Sequence, residues 1–337
     1  MSNDLRFVSS FANGTGDGLS PSTAWTAQQG FSLSPAGAEC RIMDDGVYAP
    51  SSSYDLSGVQ SSANSPQIFV SATPLGDAGG ETTIVGVNLS NNDGLVISQN
   101  NSRFIFKGIT FEGINNSSIV GLNAATANVV LEKCKFIDCI KGLVLVNLNS
   151  RATIDGTLFK NVSRAISEGI SGRSVNTYVY NSIFEDCSTV AVYAGERTVI
   201  ERCIFVRCGN AITSSANASM SDVKISTSVF INNVLNGITI STHDSSERIL
   251  IQNNIFHKNG EYAIKANDIN PNRIIMKNNC FFNNTAGNID NINGLWGEGH
   301  VLADPLFEDD TLGIEDLRLK ENSPCKNAGY LPLGVTL

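Results

Sequence analysis

A chain of 337 residues with 42% apolar and 16% charged residues is neither disordered nor a coiled coil. Its net charge is −9 and its pI about 4.9, with no cluster of Lys or Arg, which argues against a nucleic-acid backbone as partner. No apolar run approaches the ~20 residues of a membrane helix, so no membrane insertion is expected.

The N-terminal stretch "MSNDLRFVSSFANG" lacks the basic region and hydrophobic run of a secretion signal. Eight cysteines are too sparse for a disulfide scaffold. A reduced, intracellular place of synthesis is therefore expected, and the sequons at Asn13 and Asn88 read as Asn-rich turns. "GTGDG" at 14–18 lacks the Lys-Ser/Thr of a phosphate loop and the context of a dinucleotide site, and reads as a cap loop. "SPSTAWTAQQG" at 20–30 predicts a short capping helix ending at Gly30. Residues 31–103 read as irregular early coils with Gly/Pro/Ser loops.

From residue 104 a repeat takes over. "FIFKGITF", "VVLEKCKF", "ATIDGTLF", "TYVYNSIF", "TVIERCIF", "VKISTSVF", "ILIQNNIF" and "IIMKNNCF" end on phenylalanines 21 to 26 positions apart, usually 25. Seven and five residues before each Phe the side chain is mostly apolar, as with Val129 and Leu131 before Phe136. Period-two alternation means short strands with one face inward. A second apolar stretch follows most of the polar turns, and no helix-period segment separates the units. The expected product is a parallel β-helix with about three strands per coil. The repeat stops near Trp296, where a C-terminal cap begins.

The segments "LEKCKFIDC" and "IERCIFVRC" each carry a C-x4-C pair, which raises the question of a four-cysteine metal clasp. In the repeat, Cys134 and Cys203 stand two before the Phe, and Cys139, Cys187 and Cys208 three after it. There they interchange with Ser, Thr, Val and Asn. Cys134 and Cys203 are three coils apart, roughly 14 Å at ~4.8 Å per layer, whereas zinc needs sulfurs at about 2.3 Å. The cysteines read as buried free thiols in inward corners, and the late Asn run as an asparagine ladder. No metal or cofactor is expected.

With the repeat in place, the sequence resembles the right-handed parallel β-helix, pectin-lyase-like superfamily. The motifs are "RFVSSFANGTGDGLSPSTAWTA" at the start, "RIMDDGVYAP" and "PQIFVSATP" in the first coils, and "ADPLFEDD…EDLRLKENSPCKNAG" at the end. The resemblance implies an all-β fold: a single domain over 1–337, with a cap over 1–30, coils over 31–295 and a C-terminal cap over 296–337. Function is left open, because the superfamily holds lyases, hydrolases, epimerases, phage tailspikes and binding-only proteins.

In such a solenoid, chemistry sits on outward rows. The row at Val144, Ser167, Tyr193, Thr213, Thr239 and Lys265 is catalytically bland. His243, His257 and His300 are scattered, and each reads as a surface or loop residue. The row four before the Phe is richer: Lys107, Glu132, Asp155, Tyr180 and Glu201. Glu132 and Asp155 on adjacent layers have the spacing of an acid and a nucleophile or base for a glycosidic bond. Lys107, Tyr178, Tyr180 and Glu201 are the candidate sugar contacts. The alternative is a solvated row of mixed charge.

Two further outward rows are apolar. One reads Ile105, Val130, Thr153, Tyr178, Val199, Lys224, Leu250 and Ile275, and the other includes Leu158, Ile183, Ile204, Val229 and Ile255. Such stripes seldom face water, and a homotrimer packed side by side would cover both. Together with the missing signal and reduced cysteines, this points to a virion-associated protein, tailspike-like or a decoration or adaptor subunit. It would be made in the host cytoplasm, contact other virion proteins and bind host polysaccharide. A polysaccharide lyase or glycoside hydrolase is the rival, and a purely structural virion component the third class.

Overall fold

The computed structural model describes residues 4–33, 35, 37–46, 48, 54–55, 66–85, 95–97, 103–113, 120–122, 128–145, 151–168, 176–214, 220–241, 248–267, 273–290, 297–313 and 315–326. His243, Trp296 and the sequon at Asn88 lie outside them. The chain divides into two compact units, Met1–Val175 and Asn176–Leu337.

Each unit is made of three parallel sheets that the chain visits in turn. In the first, sheet A runs Leu5–Val8, Glu39–Met43, Gln67–Ala72, Arg103–Lys107, Asn128–Glu132 and Arg151–Asp155. Sheet B runs Thr83–Val85, Thr110–Glu112, Lys135–Ile137 and Leu158–Lys160. Sheet C runs Tyr54–Asp55, Leu95–Ile97, Val120–Leu122, Lys141–Leu145 and Arg164–Glu168. The second unit repeats the plan with five strands in each sheet, beginning at Thr177–Tyr180, Ile183–Glu185 and Val190–Ala194. One circuit of A, B and C is one coil of a parallel β-helix.

Register explains why like residues recur. Phe136 pairs with Phe111 on one side and Phe159 on the other, with ring centroids 5.0 and 4.8 Å apart. In the second unit, Phe184, Phe205, Phe230, Phe256 and Phe281 form a stack at 4.7 to 5.2 Å. Every one of these rings is buried. Burial contributes about 1.5–3 kcal/mol per ring and offset stacking about 0.5–1.5 more. The columns seven and five before the Phe are buried throughout, as the alternation predicts.

Two corners per coil turn through the left-handed region. After sheet A the corner residues include Gly108, Lys133, Gly156, Asn181, Arg202, Thr227, Asn253 and Asn278; after sheet B they include Asp138, Asn161, Asp186, Arg207, Asn232, Lys258 and Asn283, all at positive φ. Gly and Asn accept this conformation readily, whereas Lys, Arg and especially Thr resist it. The stack holds them there: Lys133 N–H donates to Asp155 O at 2.8 Å and Thr227 N–H to Gln252 O at 3.2 Å, in the next coil.

The residue after each of these corners points inward, and there the cysteines lie. Cys134 donates to Phe106 O (3.4 Å) and Cys203 to Val179 O (3.6 Å); Asn254 and Asn279 donate their amides to the matching carbonyls of Ile225 and Ile251 at 3.0 and 2.9 Å. In the second corner Cys139 and Cys208 alternate with Asn233, Asn259 and Asn284 in the same way. Thiol and amide thus fill one slot as donors to the coil before. The amides also link along the stack, Asn233 to Asn259 (2.8 Å) and Asn259 to Asn284 (2.7 Å). Burial pushes the Cys134 thiol up to about 12, so it stays protonated.

Both ends differ in detail from the expectation. The N-terminal segment splits into a 3-10 turn at Pro21–Thr23 and an α-helix at Ala27–Leu33. Thr26 and Gln29 form a reciprocal capping box, Gln29 N–H to Thr26 Oγ1 and Thr26 N–H to Gln29 Oε1. Gly30 therefore lies inside the helix rather than ending it. A Cβ there would sit 2.4 Å from a methyl of Val8, so the glycine permits close packing on the first strand.

At the other end, Phe307–Asp309 and Asp316–Leu319 pair as an antiparallel hairpin. Phe307, Leu317 and Leu319 pack on the outward side of sheet B, against Ile204, Val206, Val229, Ile231 and Ile255. Much of the apolar row expected to need a partner copy is thus covered by the chain itself. Two ionic contacts fasten the hairpin. Arg207 reaches Glu185, Asp186 and the fully buried Glu315. His257 is no surface residue: it is fully buried, with Nε2 2.6 Å from Asp310, which also meets Lys258 at 2.7 Å. His300 caps a ladder, its Nδ1 accepting from Asn279 N–H at 3.1 Å.

Two outcomes follow from these contacts. Replacing Asn259 by Ala removes donors to Phe230 O and Asn284 and strands their buried acceptors. Chemical denaturation should show a loss of about 2–3 kcal/mol. Burial also holds the His257 pKa below its ordinary value, against the opposing pull of Asp310. A depressed folded-state pKa gives stability that is full above the unfolded value near 6.5 and lost as pH falls through the folded one. The thermal midpoint should fall as pH drops below about 6.5, and His257→Gln should flatten that slope; an unchanged slope would refute the assignment.

Candidate functional site

Sheet A of the first unit carries the candidate site on its outward face. Lys107, Glu132 and Asp155 each end a strand, and the register pairs Lys107 with Glu132 and Glu132 with Asp155. Neighbouring strands lie ~4.8 Å apart, so three charged groups occupy three successive rungs. Lys107 Nζ bonds Glu132 Oε2 at 2.8 Å, with both side chains about 40% exposed (42% and 40%). A pair this open is worth at most about 1 kcal/mol. It orients the groups more than it stabilises the fold.

The three residues line a cleft of about 310 Å³ together with Val70, Ser71, Gly79, Gly80, Gly108 and Lys133. Residues 73–82, between the third strand of sheet A and the first of sheet B, contribute Gly79 and Gly80. Ser71 holds this loop: its hydroxyl donates to Gly80 O at 2.6 Å and accepts from Thr82 N–H at 2.7 Å, and Gly79 N–H donates to Ser71 O at 3.0 Å. A Cβ on Gly80 would lie 2.0 Å from Ala72 O, so only glycine lets the loop fold this tightly. Lys133 follows Glu132 in the left-handed corner between the equivalent Gly108 and Gly156, and it is exposed.

The site was partly visible beforehand. Lys107, Glu132 and Asp155 come together as the repeat requires. Ser71, Gly79, Gly80 and Lys133 were missed, although the Gly79-Gly80 pair and the glycines flanking Lys133 in its column were available signals. The other candidates, Tyr178, Tyr180 and Glu201, belong to the second unit. There Tyr178 pairs with Val199 and Tyr180 with Glu201, and Lys224 Nζ approaches Glu201 at 3.4 Å. The tyrosines are half-buried.

A carboxylate pair on adjacent rungs beside an ammonium group can donate and accept protons across a bond laid along the cleft. An alginate lyase from Paenibacillus sp. superposes with a TM-score of 0.60 at 12% identity, over 88% of this chain and 99% of its own. The chain has the parallel β-helix fold. Two more β-helix neighbours bear this out. A rhamnogalacturonan lyase gives a TM-score of 0.54 at 12% identity over 99% of this chain and 97% of its own. A pectate lyase gives 0.51 at 13% identity, over 96% and 91% respectively. No family model matches this β-helix, and no curated protein matches its sequence. At such identities the likeness is one of fold.

Proposed function

We propose that this β-helix binds and acts on a polysaccharide laid across sheet A of the first unit. The observation that carries the reading is the Lys107–Glu132–Asp155 row, stacked rung on rung along an open cleft. Its fold neighbours being named as lyases of alginate, rhamnogalacturonan and pectate supports a glycan as the ligand. In this reading Glu132 and Asp155 are the acid–base pair, Lys107 orients Glu132, and the Gly79–Gly80 loop forms a wall. On the second unit, Tyr178, Tyr180 and Glu201 are proposed as sugar contacts in their own right.

The finer reading is a virion-associated protein, tailspike-like or an adaptor, self-associated as a homotrimer and made in the host cytoplasm. Its remaining support is the outward row Tyr178, Val199, Lys224, Leu250 and Ile275, half-buried, and apolar except at Lys224, which pairs with Glu201. The parallel row at Ile204, Val229 and Ile255 no longer argues for a partner, since the hairpin covers it.

A panel of bacterial and algal glycans tests the site. Release of oligosaccharides, lost by about 100-fold or more in Glu132→Gln or Asp155→Asn, is the expected outcome. Unchanged release in both variants would remove the assignment, binding without turnover would make the protein a glycan-binding module, and no affinity at all would leave a structural role. Light scattering at micromolar concentration should give a trimer mass, and a monomer mass would end that proposal.

A further inference from the structure

Cys280 stands apart from the corner cysteines. It occupies the position directly before Phe281, in the strand Cys280–Phe282, where earlier coils place Ile204, Val229 and Ile255. That column points out of the coil, toward the hairpin. Cys325 lies in the turn after the hairpin, and both side chains are fully buried in one cluster with Phe307, Leu317 and Leu319. Each thiol shifts the ionisation of the other, as two sulfurs within reach of one another do.

Both cysteines are tied to one short stretch of the C-terminal segment. Cys280 Sγ donates to Ala303 O at 3.3 Å. Two residues on, Pro305 O accepts from Ser323 Oγ at 2.5 Å, and that oxygen accepts from Cys325 N–H at 3.1 Å. The corner thiols of Cys134, Cys139, Cys203 and Cys208 instead serve carbonyls of the preceding coil. We propose that Cys280 and Cys325 are the two halves of a disulfide that staples the C-terminal hairpin to the last repeat coil.

The chemistry needs an oxidant, and a low-molecular-mass disulfide such as oxidised glutathione supplies one. Cys325, in the turn after the hairpin, supplies the attacking thiolate before the hairpin docks. Its sulfur bonds one sulfur of oxidised glutathione, the glutathione S–S bond breaks, and one glutathione thiolate leaves. Cys280 then loses its proton, attacks Cys325 Sγ in the mixed disulfide and expels the second glutathione. Two protein thiols become one disulfide while one oxidised glutathione becomes two reduced ones. Because both sulfurs are buried after docking, exchange takes place while the hairpin is undocked, and it requires a medium more oxidising than the cytoplasm in which synthesis is proposed. The bond would close a loop of ~45 residues and so restrict the unfolded chain. It is independent of the cleft on sheet A.

The full chain, denatured and refolded in a glutathione redox buffer, provides the test. Free thiols are alkylated, and intact mass and peptide mapping locate any bond. Two of the eight thiols should escape alkylation, with Cys280 joined to Cys325. The thermal midpoint should rise by several degrees and fall back on adding dithiothreitol. Cys280→Ser and Cys325→Ser should each abolish the bond and make the midpoint independent of redox state. Alkylation of all eight thiols in the refolded wild-type chain, or a bond between any other pair, would overturn the proposal. Since the wild-type map decides the matter alone, a variant that fails to fold does not obscure it.

Discussion

Parallel stacking in register at ~4.8 Å is the constraint on which this protein depends. It places each residue directly against its equivalent in the next coil, so one favourable choice can be repeated down a column. The phenylalanine stacks show this most plainly, with rings as close as 4.7 Å. The same rule acts on the outside, where it has no packing to satisfy. It brings Lys107, Glu132 and Asp155 together on consecutive rungs although they are widely separated along the chain. A charged site here needs no elaborate loops, only a column whose outward residues are polar.

The corners show how much local cost a stack can carry. Lys133, Arg202, Arg207, Thr227 and Lys258 adopt a backbone conformation that costs about 1–2 kcal/mol per residue in isolation. Each keeps its N–H paired to the neighbouring coil, so relaxing the corner would break a bond in the stack. Inside the corners, thiols and amides are interchangeable because both donate to the same carbonyl slot. The amides also continue the chain of bonds, since an Asn oxygen accepts from the neighbouring coil. The corner serines differ: Ser182 and Ser228 donate within their own coil, and Ser228 accepts from Cys203 N–H.

The C-terminal hairpin changes the meaning of the exterior. A row of Ile and Val on a solenoid surface reads as an intermolecular seam when coils are considered one at a time. With the hairpin in place, that row is the floor of a small second core, sealed by Arg207–Glu315 and His257–Asp310. His257 and His300 were equally hard to place. Nothing in a linear reading marks His257 as buried or His300 as the terminal rung of a ladder, because both depend on where the chain goes after its last coil.

What the sequence by itself determined is therefore whatever repeats. The period, the inward columns, the buried cysteines and the alignment of Lys107 with Glu132 and Asp155 all follow from alternation and register. The tertiary structure alone decided what does not repeat. The Ser71-anchored loop with Gly79 and Gly80 makes the charged row a cleft, the hairpin covers sheet B, and Cys280 meets Cys325 across the last layer. These contacts join segments with no common period. Their partners are chosen by the path of single loops, and a pattern read along the chain carries no information about that path.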